Sequence, residues 1–450
     1  MNLKEIHTVY FVGIGGIGMS AIARYFAANG KKIAGYDKTP SKITMELERS
    51  GVAINFEDVV KNILPPFLDK ENTLVVYTPA VSENNAQLNY FLAQQFIVLK
   101  RAEILGEITK NTFCLAVAGT HGKTTTSSIL GHIMATAKAT SFLGGIAENY
   151  NTNLILGGTE ISVVEADEFD RSFLQLSPNI ACVTSMDADH LDMYESPEAV
   201  TDSFVAFSEL VSDTLIVAKG LPLKGLTYAI DTSADYRAFN LRIESGSCIF
   251  DAETPNSKIE NISFDLPGRH NIMNALAAIA MADVYGVSLA NIKKCLGTFK
   301  GVARRFSYKI KTENFVLIDD YAHHPTAISA VENAVREMYP ETEVLVVFQP
   351  HLYSRTRDFI DDFALALNKF DAILLLDIYP AREIPIPGVD SNWLLSKIKN
   401  PHKKLTQKKN LLKDINNFSG KVVVMLGAGD IGVLADEVSN ELLKAANHEV

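Results

Sequence analysis

The run Gly119-Thr120-His121-Gly122-Lys123-Thr124-Thr125 carries the sharpest chemical signal in the chain. Glycines let backbone amides wrap a polyphosphate, a lysine reaches the β- and γ-phosphates, and the next hydroxyl is offered to magnesium. The apolar run Phe113–Ala118 precedes the loop and a helical pattern over Thr126–Ala137 follows it. That strand-to-helix context is what a triphosphate loop requires. Two residues separate its glycines where the common form has four, so the pattern by itself does not assign a class.

Acidic residues follow the next apolar strand, Ile161–Val164, as Glu165-Ala166-Asp167-Glu168-Phe169-Asp170. At the carboxyl end of a strand in a nucleotide-binding sheet, such carboxylates can hold magnesium; elsewhere they would be a solvated loop. His190, in Asp187-Ala188-Asp189-His190, leaves the neighbouring strand beside the same crevice and suits a metal or phosphate role.

A second glycine motif opens the chain. Gly13-Ile14-Gly15-Gly16-Ile17-Gly18 lies between a strand and a helix over Met19–Asn29, and Asp37 ends the next strand. Here the backbone can approach a diphosphate while the acid meets a ribose hydroxyl. The fingerprint does not say which nucleotide binds. Near the other end, Asp319-Asp320-Tyr321-Ala322-His323-His324-Pro325 and Gln349-Pro350-His351-Leu352-Tyr353-Ser354-Arg355 follow apolar strands. They set cationic and titratable groups where small ligands bind. Leu426-Gly427-Ala428-Gly429-Asp430 is a further glycine turn, for which tight packing is at least as good a reading.

The elements that must position these residues form an α/β pattern, with short apolar runs alternating with helical ones. At 450 residues, 47% hydrophobic and 21% charged, the chain has room for two or three ordinary globular domains. Boundaries are expected near 107 and 306, giving domains 1–107, 108–306 and 307–450. Between Tyr228 and Leu266 short alternating segments predict an antiparallel hairpin inserted beside the central sheet. A net charge of −11 without a basic stripe argues against a nucleic-acid binder. No run approaches the ~18–20 apolar residues of a membrane span. The N-terminus enters a strand at once, so no signal peptide is expected. Cys114, Cys182, Cys248 and Cys295 lack metal-site spacing and read as buried thiols of a cytoplasmic protein.

Five segments in this order are similar to the Mur ligase family over essentially the whole chain. They are Gly119–Thr125, Glu165–Glu168, Asp189-His190-Leu191-Asp192, Gly268-Arg269-His270-Asn271-Ile272-Met273-Asn274 and Asp320–Pro325. The resemblance implies a Rossmann-like N-terminal domain for the UDP part of a UDP-sugar. It further implies a central P-loop ATPase-like domain with a mixed sheet for ATP and Mg2+, and a Rossmann-like C-terminal domain for the amino acid. Gly13-Ile14-Gly15-Gly16-Ile17-Gly18-Met19-Ser20 and Gln349-Pro350-His351 resemble the branch that joins L-alanine to UDP-N-acetylmuramate in peptidoglycan synthesis. By that likeness Gly13, Gly15, Gly16, Gly18 and Asp37 hold the UDP substrate. Gly119, Thr120, His121, Gly122, Lys123, Thr124 and Thr125 hold the triphosphate. Thr124, Glu165 and His190 serve the metals, with Lys123, Glu165 and His190 the catalytic set. Asn271 and Asp320 match positions touching adenine and ribose, and Tyr321, His323, His351 and Arg355 match the amino-acid pocket. Two departures stand out: Leu352 replaces an arginine common after Gln-Pro-His, and the stretch Asp202–Phe207 has no lysine to carbamylate.

The chemistry implied is attack of a carboxylate on the γ-phosphate of ATP, then displacement of phosphate by an amine. Neutralising charge on the transferred group is the main demand of the first step. A ligase for a preformed peptide is the rival within that chemistry. A nicotinamide-dependent oxidoreductase would leave the phosphate loop and the acidic cluster without a use. No nucleic acid, membrane or obligate protein partner is expected.

Overall fold

The computed structural model describes residues 3, 5–187, 194, 196–244, 247–381 and 383–448. Three sheets carry the fold. In the first, strands Thr8–Val12, Lys32–Tyr36, Ala53–Asn55, Thr73–Tyr77 and Ile97–Lys100 are all parallel. Thr8–Val12 is central and buried along its whole length, as expected for a strand covered on both faces. Its neighbours are Lys32–Tyr36 on one side and Thr73–Tyr77 on the other. The strand order reverses there, and the Gly13–Gly18 turn leaves at that switch point.

The central sheet has ten strands. Phe113–Ala118 lies between Ile161–Glu165 and Ile180–Val183, parallel to both. The loop that follows it is therefore flanked by the exits of two neighbouring strands. Thr140–Ala147 pairs parallel with Ile161–Glu165 and antiparallel with the edge strand Thr152–Ile155, so the sheet is mixed. The segment expected as an antiparallel hairpin beside this sheet is continuous with it and supplies its outer strands. Leu226–Ile230 joins Thr214–Ala218 and Tyr236–Glu244 in parallel, and Ser247–Glu253 and Lys258–Phe264 follow outward. The reason is burial: Tyr236, Ala238, Phe250, Ala252, Ile262 and Phe264 are nearly inaccessible, which gives each strand an apolar face that must be covered.

The third sheet runs Ser307–Lys311, Val316–Asp320, Val422–Leu426, Val344–Phe348, Ala372–Leu375, Lys403–Leu405, antiparallel only at its first pair. Val316–Asp320, Val422–Leu426 and Val344–Phe348 are buried throughout. Their neighbouring carboxyl ends deliver the Asp320, Gly427 and Gln349 segments to one edge. Two helices follow Val344–Phe348, Tyr353–Asp358 and Ile360–Leu367, separated where Phe359 leaves helical geometry (φ −118°, ψ 23°).

The chain clusters into two compact units. One comprises 1–241, 249–263 and 273–300, and holds the first sheet and most of the second; the other comprises 242–248, 264–272 and 301–450. In the first unit one apolar core runs from Val9, Phe11 and Ile22 through Ile104 and Leu105 to Ala116, Phe173 and Phe204. Asn153, 1% exposed, adds a polar tie by donating to the Ile17 carbonyl and the Ser20 hydroxyl.

Candidate active site

The phosphate loop is shaped by two glycines in left-handed geometry. Gly119 has φ +131° and a Cβ there would lie 2.1 Å from Thr184 Oγ1; Gly122 has φ +84° and a Cβ would meet Asn274 Oδ1 at 2.4 Å. Only glycine fits both the torsion and the space. Thr120 Oγ1 lies 2.8 Å from Ser185 Oγ, which also accepts from the His121 amide at 2.8 Å, while His121 Nε2 is 3.4 Å from Asp187. The exit of Ile180–Val183 thus braces the loop. Helix Lys123–Met134 begins directly at Lys123 and includes Thr124 and Thr125, so its unpaired N-terminal amides open into the loop.

Lys123 and the acidic cluster meet. Nζ of Lys123 lies 2.6 Å from the Gly119 carbonyl and 2.7 Å from Glu168 Oε2. Thr124 Oγ1 donates to Glu165 Oε1 at 3.0 Å, and Glu165 Oε2 accepts from the Gly144 amide at 3.0 Å and from Ser127 Oγ at 3.4 Å. A Cβ at Gly144 would lie 2.2 Å from that carboxylate oxygen. Glu165 and Thr124 therefore present a hard oxygen donor set at the loop, which suits magnesium. Among the described residues no three His, Cys, Asp or Glu side chains gather to hold a metal. His190 lies outside the described residues. The other two acids face the first sheet's end: Asp167 pairs with Arg101 at 3.3 Å and Asp170 with Lys100 at 3.4 Å.

In the N-terminal turn, Gly13 has φ +89° and helix Ile17–Ala28 starts after Gly16. Asp37 Oδ2 accepts from the Gly15 amide at 2.7 Å, so the acid expected at a ribose here braces the glycine turn. A Cβ on Gly15 would crowd that same oxygen at 2.9 Å, and one on Gly18 would meet Arg101 at 3.0 Å.

Asn271 and Asn274 part company. Asn271 donates to the Pro267 carbonyl at 2.7 Å, whereas Asn274 stands against Gly122 and 3.3 Å from Thr126 Oγ1. In the C-terminal unit both oxygens of Asp320 accept backbone amides, from Phe306 and Ala322 at 2.7 Å each. His323 is held through Nδ1 at 2.8 Å from the Tyr321 carbonyl, with its ring 5.2 Å from that of Tyr321 and 5.9 Å from that of His351. Burial first, then the Arg355 charge, push His323 down to about 3. It is a neutral contact group at physiological pH, not a switch. His324 instead caps its helix by accepting from the Thr326 amide. His351 stacks on Tyr379 at 5.7 Å. Leu352 has φ +72° and ψ 137°, a strained backbone at the start of the Arg355 helix. Arg355 is half-buried, and among the described residues its guanidinium makes no hydrogen bond or ion pair.

Sequence reasoning assigned no role to Gly144, Asn274 or Arg305. The guanidinium of Arg305 lies 5.3 Å from the Tyr321 ring and makes no hydrogen bond or ion pair among the described residues. No motif marks Gly144 or Arg305, and Asn274 closes the Gly268–Asn274 segment without a role of its own. The Gly427–Gly429 turn resolves as packing. Its carbonyls face inward and accept from Arg304, whose Nε lies 3.4 Å from the buried Asp319.

Comparison with known proteins fits this geometry. Residues 8–112 match the model described as "Mur ligase family, catalytic domain", 117–282 the "Mur ligase middle domain", and 304–435 the "Mur ligase, glutamate ligase domain". The chain belongs to the Mur ligase family. It is accordingly an amide-forming, ATP-dependent ligase with the three-domain α/β architecture of that family. The UDP-N-acetylmuramate–L-alanine ligase of Flavobacterium psychrophilum is 57% identical over 98% of this chain and 99% of its own. The ligase of the same name from Flavobacterium johnsoniae is 55% identical over the same shares. A crystal structure of UDP-N-acetylmuramate-alanine ligase from Thermotoga maritima superposes with a TM-score of 0.85 at 27% identity, over 97% of this chain and 99% of that one. A murein peptide ligase from Psychrobacter arcticus shares the fold, with a TM-score of 0.71 at 22% identity over 97% and 98%.

Proposed function

We propose that this Mur ligase joins the amine of L-alanine to the carboxylate of UDP-N-acetylmuramate, using ATP, as a cytoplasmic step of peptidoglycan synthesis. The observation that carries the reading is end-to-end similarity, at 57% identity, to a ligase named for those two substrates. The peptide-adding alternative has a likeness at 22% identity, which speaks to the fold alone. The roles proposed are the UDP substrate on 1–107, ATP on 108–306 and the amino acid on 307–450.

Lys123 sits where it can follow charge onto the γ-phosphoryl group as the carboxylate attacks it, while the helix N-terminus orients the remaining oxygens. Thr124 and Glu165, with His190, would hold magnesium, which when bound neutralises phosphate charge. The acyl phosphate then meets the alanine amine, and phosphate leaves from the tetrahedral adduct. Holding the two reactants in place can lower that barrier by up to ~7–11 kcal/mol. Arg355, whose guanidinium makes no hydrogen bond or ion pair among the described residues, is suited to grip the alanine carboxylate with its planar fork, with Tyr321, His323 and His351 as the rest of the pocket. Incubating the protein with UDP-N-acetylmuramate, ATP and L-alanine tests the reading: the alanyl conjugate, ADP and phosphate should appear together, and omission of any substrate should stop all three.

A further inference from the structure

The backbone just before Arg355 makes a costly bend, and the fold holds that bend at several points. Leu352 has φ +72°, a region few residues other than glycine adopt. Its amide donates to the Tyr379 carbonyl at 3.0 Å. Its carbonyl accepts from the Thr356 amide at 3.2 Å and from the Thr356 hydroxyl at 2.8 Å. The Tyr379 amide in turn donates to the Pro350 carbonyl at 2.8 Å, so the chain at His351 and the chain at Tyr379 run side by side. Tyr379 is itself backed by the Gly429 turn, where a Cβ would lie 2.7 Å from the tyrosine ring.

A further hold comes from Glu383, a residue to which the proposed chemistry gives no task. Its carboxylate accepts from the Ser354 amide at 3.0 Å and from the Ser354 hydroxyl. Burial pushes this carboxyl up, but the bonds from Ser354 and from the Tyr353 amide outweigh it and leave Glu383 below the usual carboxylate range. The group is therefore charged at neutral pH, and it sits at the amino end of helix Tyr353–Asp358, where a negative charge is favoured. A helix of six residues does not persist by itself, so its orientation depends on these contacts. Arg355 stands between two anchored neighbours, Ser354 on Glu383 and the inaccessible Thr356 on Leu352. Its backbone is thus fixed while its guanidinium makes no hydrogen bond or ion pair among the described residues, and its charge is felt at His323.

We propose that Glu383 is a positioning residue for the incoming amino acid. Through Ser354 it fixes the turn that presents Arg355, so the guanidinium meets the amino acid's carboxylate already oriented. Without Glu383, binding the amino acid must also order the turn, and affinity for the amino acid falls. The proposal rests on the ligase reading above, with Arg355 as the carboxylate site.

The test is how the effect divides between KM and kcat. Glu383→Ala should raise the KM for L-alanine about fivefold or more, the scale of ordering one long side chain on binding. The KM values for ATP and UDP-N-acetylmuramate should stay within about twofold of wild type. Partial unfolding alone would lower kcat and leave every KM in place. Glu383→Gln, whose amide oxygen can still accept from Ser354, should recover most of the affinity. Ser354→Ala loses only the hydroxyl bond and should raise the same KM by less; it carries the test if Glu383→Ala does not fold. Adding Glu383→Ala to Arg355→Ala should raise the KM for alanine no further, because Glu383 acts through Arg355. An unchanged KM for alanine in Glu383→Ala and Ser354→Ala, or a further rise in the double variant, would overturn the proposal. An unchanged KM for alanine in Arg355→Ala would instead strike the pocket reading, and the proposal with it. If wild type forms no alanine amide, the substrate reading fails, and the same comparison is made with the amino acid it does accept.

Discussion

Nζ of Lys123 lies 2.7 Å from a carboxylate oxygen of Glu168, and that glutamate is 1% exposed. The lysine expected at a transferred phosphoryl group thus rests on a buried counter-charge at the carboxyl end of the adjacent strand. The pair keeps the ammonium at the mouth of the loop and satisfies a carboxylate that burial would otherwise penalise.

Lys123→Ala should therefore fail twice. Phosphate release should fall by at least ~10²–10³-fold, the loss typical of removing a group that stabilises developing charge. The variant should also be destabilised, by up to ~3–5 kcal/mol, because the buried Glu168 carboxylate loses the Lys123 charge that offsets its burial. Adding Glu168→Gln should restore stability in thermal unfolding without restoring phosphate release. Recovery of activity in the double variant would remove Lys123 from the chemistry.

Gly144→Ala should disable the site from behind. The added methyl would lie 2.2 Å from Glu165 Oε2 and would displace the carboxylate from Thr124 and the Gly144 amide. Titrating magnesium in the phosphate-release assay should show the half-saturating concentration raised about tenfold, the scale of losing support around a metal ligand. An unchanged magnesium curve would mean that Glu165 does not serve the metal.

These two cases mark what the chain discloses by itself. The Lys123 loop is legible because its function requires particular residue types in consecutive positions, and the strands Thr8–Val12, Phe113–Ala118, Val344–Phe348 and Val422–Leu426 because strands buried on both faces read as unbroken apolar runs. Gly144 is silent because its role is to be absent beside a residue 21 positions away, which only strand pairing arranges. Asn274 and Asn271 are one helical turn apart with the same side chain, and tertiary packing alone distinguishes them. The run from Tyr228 to Leu266 alternates as a hairpin beside the central sheet would, and alternation does not tell how many strands such a run adds to that sheet.

Asp319 predicts a pH effect on stability. Burial raises it from 3.8 to about 6, against the opposing charges of Arg304 and Lys309. A carboxyl whose folded value is raised contributes stability that is fully present below about pH 4 and is lost as pH rises through about 6. Asp319→Asn, which cannot ionise, should gain on wild type by up to ~3 kcal/mol between pH 4 and pH 7. Urea unfolding of both proteins at the two pH values measures this. A constant difference would mean that Asp319 titrates as an ordinary carboxylate.

Arg355→Ala should raise the KM for L-alanine steeply and leave the KM for ATP nearly unchanged. If the arginine–carboxylate pair is desolvated in the complex, its loss should cost ~2–5 kcal/mol. Arg305, also without an ion-pair partner among the described residues, is the control: an alanine effect larger in Arg305→Ala than in Arg355→Ala would move the carboxylate site.

The central claim is the identity of the acceptor, and parallel assays with UDP-N-acetylmuramate and ATP test it most directly. L-alanine, glycine, L-serine and a tripeptide beginning L-Ala-γ-D-Glu are offered separately, with amide product and phosphate measured together. The account predicts the highest kcat/KM for L-alanine, with one phosphate released per amide formed. Preference for the tripeptide would contradict it.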